Sequence, residues 1–65
     1  MNFKKVLESI INFEVMVIHF QTGRLLYSGK VKNISDELRN KGWLVHEAKL
    51  SDENNLNSNY ILTVY

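Results

Sequence analysis

The two histidines are the residues of this chain best suited to acid–base chemistry, because imidazole is the side chain that changes charge near neutral pH. His19 and His46 both fall in segments predicted to be strands. If those strands were neighbours, the two rings could pair, or could flank Glu14 or Glu47 as an acid–base site. A strand histidine without a nucleophile signature is more often structural. We therefore expect that the protein is not an enzyme and has no catalytic residues. The alternative is a small enzyme that uses His19 or His46.

Metal and cofactor sites have little support in the sequence. Cysteine is absent, and two isolated histidines cannot make a structural metal centre by themselves. The turn glycines Gly23 and Gly29 have cations beside them, and exposed backbone amides there could hold a phosphate. Neither segment has the spacing of a phosphate-binding loop or a dinucleotide fingerprint. We expect no metal and no cofactor.

Basic and aromatic residues suggest a second kind of site, a sheet surface that binds single-stranded nucleic acid. The formal net charge is only +1, with eight Lys and Arg against seven Asp and Glu, which is far from a concentrated positive surface. A nucleic-acid-binding module is therefore an alternative to a protein-binding role. In either role the expected partner-binding residues are Arg24, Tyr27, Lys30 and Lys32, and the aromatic platforms would be Tyr27, Trp43, Tyr60 and Tyr65.

Apolar residues in the first part of the chain recur at helical spacing and then at strand spacing. Phe3, Val6, Leu7, Ile10 and Ile11 share one helical face and predict an amphipathic N-terminal helix. Residues 13–20 are rich in β-branched side chains and predict a strand with two apolar faces. Such a strand is central in a sheet, or it keeps one face for a partner subunit. One face carries Phe13, Val15, Val17 and His19, and the other carries Met16, Ile18 and Phe20 behind Glu14.

The rest of the chain predicts a return strand over 24–28, a short helix, a strand over 43–50, a loop over 51–59 and a strand over 60–65. Asn33 is suited to cap the short helix, and Gly42 is suited to a left-handed position at its end. The predicted fold is an α+β domain with an N-terminal helix followed by β-β-α-β-β. Its four-stranded sheet is mainly antiparallel, and the helices lie on one face.

Size and surface predict self-association. A chain of 65 residues is one domain, and a domain this small is marginally stable as a monomer. Because two short helices cover at most one face of the sheet, a second subunit is expected to cover the other in a homodimer or tetramer. The sequence lacks a membrane span and a secretory signal, which favours the cytoplasm. The expected oligomer interface consists of Phe13, Val15, Val17, Trp43, Tyr60 and Tyr65.

Residues 26–38, from Leu26-Tyr27-Ser28-Gly29-Lys30 through the helix start to Leu38, resemble a segment of small phage and prophage proteins of low-GC Gram-positive bacteria. The resemblance covers about residues 13–65. Asn33 stands where an aspartate is common and Ser35 where proline is common. The resemblance implies a phage-type binding protein that acts inside a bacterial host cell, such as an anti-CRISPR inhibitor of a host-defence protein. Some small sheet proteins of this kind look like the transcriptional coactivator fold that binds single strands. The resemblance transfers no site residue.

Overall fold

The computed structural model describes residues 2–51 and 59–65, and it confirms the predicted α+β fold. The predicted loop at 51–59 falls largely outside the described residues. No helix in the described ranges is long and apolar enough to cross a membrane. The elements in chain order are α1 (Phe3–Ser9), β1 (Glu14–His19), β2 (Leu25–Lys30), a 3-10 turn (Val31–Asn33), α2 (Asp36–Arg39), β3 (Val45–Ser51) and β4 (Asn59–Val64).

The four strands form one sheet in the order β2-β1-β4-β3. Each hairpin is antiparallel, and the two hairpins join through a parallel pairing of β1 with β4. Two of the three pairings are antiparallel, which confirms a mainly antiparallel sheet and adds a parallel pair at its centre. The first strand is central, as its two apolar faces predicted.

The hydrophobic core lies between one face of the sheet and the two helices. Alternate residues of the central strands point into it, and α1, the 3-10 turn and the segment before α2 cover it. This arrangement confirms that the helices lie on one face. The buried residues are Phe3, Leu7, Ile10, Val15, Val17, Val31, Ile34, Val45, Leu62 and Val64.

The first helix begins at a side-chain cap. The Asn2 Oδ1 atom accepts hydrogen bonds from the backbone N–H groups of Lys4 at 2.8 Å and Lys5 at 3.2 Å, which satisfies two of the free donors at the helix start. A helix of seven residues does not persist alone in water, so α1 depends on its contacts with the sheet.

The second helix is capped by Ser35, and the prediction of Asn33 as the cap is wrong. Asn33 ends the 3-10 turn instead, and the Ser35 hydroxyl oxygen accepts a hydrogen bond from the Leu38 N–H at 3.2 Å. Serine competes well with asparagine for this position, so sequence alone did not separate the two. Gly42 has a φ of 81°, which confirms the predicted left-handed position after the helix.

Strand β2 runs two residues beyond its predicted end, through Gly29 to Lys30. Gly29 has a φ of 145°, and the Tyr27 hydroxyl lies 3.1 Å from where a Cβ atom of residue 29 would sit. That hydroxyl donates a 2.7 Å hydrogen bond to the Lys30 carbonyl oxygen. Glycine is favoured here because this φ strains any other residue and because it leaves room for the Tyr27 hydroxyl, and not because the strand ends.

Two register shifts set which side chains reach each face of the sheet. One lies between Val17 and Ile18 opposite β2, and the other lies between Val45 and Glu47 of β3. In a regular strand Val45 and Glu47 would share a face. The shift instead leaves Val45 in the core and pairs Glu47 with Thr63 on the opposite face.

Candidate binding surface

The face of the sheet opposite the helices is apolar and exposed, and we call it the open face. The register of β1 and β4 places Met16 beside Ile61 and Ile18 beside Thr63. No helix in the described part of the chain covers these residues. Met16 is 38% exposed, and Phe20 and Tyr65 at one end of the face are each 50% exposed. Apolar side chains that lie next to one another on an exposed surface make this face a candidate binding site.

One end of the open face is aromatic. The ring of His46 lies against that of Phe20, with centroids 4.0 Å apart, and 6.1 Å from the ring of Tyr65. Phe20 and Tyr65 follow the last residues of β1 and β4, and the register shift in β3 brings His46 to them. Aromatic rings in contact have large exposed apolar surfaces and little freedom to rearrange, which suits them to anchor a partner.

Both edges of the open face carry one cation and one anion. Glu14 pairs in register with Lys30 at the β2 edge. At the β3 edge, the Lys49 Nζ atom lies 4.0 Å from the Glu47 Oε2 atom. The open face is therefore apolar along its centre and electrically balanced at its rim.

The residues of the predicted oligomer interface lie mainly on the helix side of the sheet, and two of them are buried in the core. Val15 and Val17 are buried in the core of a single chain and cannot contact a second subunit. Tyr60 packs against the core and meets the ring of Phe13 edge-on, with centroids 5.3 Å apart. Trp43 is half-buried, and its centroid lies 5.6 Å from that of His19.

Of the six predicted interface residues, Tyr65 alone belongs to the open face. Sequence reasoning missed Met16, Ile18 and Phe20 as surface residues. The sequence did contain a signal for this face. Glu14 lies on the same side of β1 as these three residues, and a charged carboxylate is expected on the face that the helices do not cover.

The predicted partner-binding residues all lie along or beside β2, but they do not form one cluster. Arg24 and Lys30 are six residues apart, or about 20 Å along an extended chain. Lys32 lies in the 3-10 turn. Tyr27 faces inward and packs against the core, as Tyr60 does, so the predicted aromatic platform for nucleic acid is not assembled on the open face.

Three backbone amides in the turn before β2 already have partners within the turn. The N–H of Thr22 points to His19 Nδ1 at 3.4 Å, and the N–H of Gly23 donates to the His19 carbonyl oxygen at 2.8 Å. The N–H of Arg24 donates to Thr22 Oγ1 at 3.2 Å. Gly29, the other predicted position, lies within a strand paired to β1.

The two histidines lie on different faces of the sheet. His19 pairs in register with the buried Val64 on the helix side, and its Nδ1 atom lies 3.2 Å from the Thr22 hydroxyl oxygen. His46 lies with Phe20 on the other side. Within residues 2–51 and 59–65, no hydrogen bond joins a histidine to a carboxylate, and no cluster of three potential metal ligands occurs.

The described geometry therefore provides surfaces for binding and does not assemble the predicted histidine pair. The candidate surface with contiguous apolar residues is the open face, with an aromatic end and a charge-balanced rim. No protein-family model matches this chain, and no curated protein or solved structure matches it.

Proposed function

We propose that this protein acts by binding and not by catalysis, and that a second copy of the chain binds to the open face. The observation that carries the proposal is an apolar centre bounded by equal numbers of cations and anions. In a symmetric dimer the same patch of each subunit is in contact. Its apolar residues must therefore meet apolar residues of the copy, and its cations must meet the anions of the copy. A surface of this composition meets that condition.

The size of the open face indicates a weak dimer. Four strands about 4.8 Å apart, each about 20 Å long, give a face of about 400 Å². A dimer through this face would bury about 800 Å² in total, below the usual range for stable complexes. We therefore expect monomer and dimer to exchange at high protein concentration. The aromatic end, with Phe20, His46 and Tyr65, is where most of the binding energy would reside.

The charge of the open face favours a second copy over a nucleic acid. Glu14 and Glu47 offset Lys30 and Lys49 at its rim. A phosphate backbone is bound by concentrated positive charge, and the release of its counterions requires unpaired cations. A patch with no net charge at its edges does not attract such a backbone but can meet its own copy.

The substitution Met16→Lys tests the proposed dimer. A lysine on β1 at the centre of the open face would be buried without a partner charge, so the dissociation constant is expected to rise by about tenfold or more. Sedimentation velocity over a concentration series up to about 1 mM measures this equilibrium. Ile11→Lys is the matched control, because Ile11 is 40% exposed and lies at the end of α1 away from the open face.

Two outcomes would contradict the dimer. One is a natural chain that stays monomeric across the series, and the other is an equal effect of the two lysine substitutions. A chain that binds single-stranded DNA through the open face at physiological salt would favour the nucleic-acid-binding alternative instead.

The resemblance at residues 26–38 supports a narrower proposal, that the binding protein inhibits a defence component in the cytoplasm of a bacterial host cell. The expected result is that expression of the chain raises the plating efficiency of a phage targeted by an active CRISPR nuclease. A version with an early stop codon is the control. Equal plating with both versions would contradict this role and leave the dimer proposal intact.

A further inference from the structure

We propose that strand β2, together with the groove between it and α2, binds an extended acidic peptide segment as a fifth strand of the sheet. This surface adjoins the open face at Ser28 and Lys30, and it does not require the proposed dimer. The inference rests on an unpaired strand edge, an adjacent apolar groove and the charge around them.

Strand β2 is at the end of the sheet, and no other strand of the described residues pairs with its outer edge, where the Lys30 carbonyl oxygen accepts the bond from the Tyr27 hydroxyl. The N–H of Val31 donates to the Phe13 carbonyl oxygen at 3.0 Å. Because hydrogen-bonded pairs alternate in an antiparallel ladder, the pairs at Gly29 and Tyr27 also face β1. The N–H and C=O of Ser28 therefore point away from the sheet, toward the position of an added strand.

A groove of about 430 Å³ lies between this edge and the second helix. Its apolar residues Leu26, Tyr27 and Leu38 are half-buried and pack against the core, so the floor is held in place. An added strand would lie about 4.8 Å beyond β2, and every second side chain would point to the helix side of the sheet. The groove is where those side chains would lie. The remaining lining residues are Asn33, Ser35, Glu37 and Lys41.

Lysines outnumber acidic residues around this edge, although Glu14 lies in register beside Lys30. Lys30, Lys32 and Lys41 are exposed, and none of them makes an ion pair within the described part of the chain. Glu37 is the acidic residue that lines the groove. An extended segment with apolar side chains at alternate positions and acidic residues at its ends matches both the groove and this charge.

The same charge disfavours a second copy of the chain at this edge. An antiparallel pairing of two β2 strands about Ser28 would bring Lys32 of each chain close to Arg24 of the other. Like charges across a strand pair are destabilising. An acidic peptide meets no such repulsion.

The test uses the full chain labelled with ¹⁵N and a capped peptide that alternates valine and threonine between terminal glutamates. We expect its addition to shift the amide resonances of residues 26–30 and 35–41 while those of Phe20, His46 and Tyr65, at the aromatic end of the open face, stay unchanged. A peptide with lysine in place of the glutamates, and one N-methylated at the amides that would face β2, are expected to bind at least about tenfold more weakly.

Two pairs of variants distinguish the contribution of the strand-edge hydrogen bonds to peptide binding from the contribution of the lysine charge. Ser28→Pro removes the outward N–H at an edge position where proline is tolerated, and it should weaken peptide binding by about tenfold, whereas Ser28→Ala should leave binding unchanged. Lys41→Glu should weaken binding several-fold relative to Lys5→Glu, which makes the same charge change on α1.

The inference is overturned if the acidic peptide shifts no β2 or α2 resonance at millimolar concentration, or if it shifts those of Phe20, His46 and Tyr65 instead. It is also overturned if the N-methylated peptide binds as well as the unmodified one, a result that does not depend on any variant folding. Shifts of β2 resonances that depend on protein concentration without peptide would show that a second copy occupies the edge, which also overturns it.

Discussion

The substitution Leu62→Ala is expected to lower the free energy of unfolding by about 2–5 kcal/mol. Leu62 lies on the central strand β4 with none of its side chain exposed, in register with Val17 of β1. Alanine would leave a cavity at the centre of the core, between the sheet and the helices. A domain of this length has a total stability of about 3–10 kcal/mol, so the loss is a large part of it. Urea unfolding followed by circular dichroism measures the change.

The neighbouring residue supplies the control for this prediction. Ile61 is half-buried on the open face, so Ile61→Ala should lower the free energy of unfolding by only about 1 kcal/mol. The same substitution should weaken the proposed dimer, which Leu62→Ala would affect only through folding. Equal losses of stability in the two variants would mean that the two faces of β4 are assigned incorrectly.

The types and order of the elements were predictable because each has a local cause. Helical spacing of apolar residues marks α1, β-branched residues mark β1 and β4, and Gly42 marks the stop after α2. These signals depend on residues within a few positions of one another. Errors at this level were small, such as the cap at Ser35 in place of Asn33.

The order of the strands was not predictable, because it depends on contacts between residues far apart in the chain. The parallel pairing of β1 with β4 places Val15 beside Tyr60, and no local pattern encodes that pairing. Once β1 and β4 are adjacent, their apolar faces combine, and the open face becomes a continuous surface. The candidate site is thus a consequence of strand order.

The register shifts explain why the faces of individual strands were misassigned. Alternation applied to residues 43–50 groups Val45 with Glu47 and Lys49, whereas the shift at His46 sends Val45 to the core and the two charged residues to the open face. A bulge of this kind inserts one residue without a distinctive composition. The balanced rim of the open face, and the position of His46 against Phe20, both depend on it.

A different cause explains why the sequence did not show which face of β1 the helices cover. Both faces of β1 are apolar, and the sequence contains too few helical residues to cover both. Whether Val15 or Met16 lies under the helices depends on how α1 returns onto the sheet. In the structure the Phe3 N–H donates to the Trp43 carbonyl oxygen at 3.4 Å, and Asn2 forms a bridge with Leu44. These contacts tie the start of α1 beside the start of β3, and they could not be read from the sequence.

The position of α1 gives the second large prediction, that Phe3→Ala lowers the free energy of unfolding by about 3–5 kcal/mol. The Phe3 side chain is 1% exposed and is part of the core cluster with Leu7 and Ile10. Because a helix of seven residues is unstable alone, the loss of this contact should release α1 from the sheet. Its amides should then exchange with solvent faster than those of the central strands, as hydrogen exchange measures.

Lys4→Ala is the matched control for this effect. Lys4 is the next residue of the same helix, and its side chain is exposed, so alanine there should leave the unfolding midpoint nearly unchanged. The backbone N–H of Lys4 keeps its bond to Asn2 in both variants, so the helix start is the same. Similar midpoints for Phe3→Ala and Lys4→Ala would show that α1 is not required to cover the core. In that case the helix side of the sheet, like the open face, would be free to bind a partner.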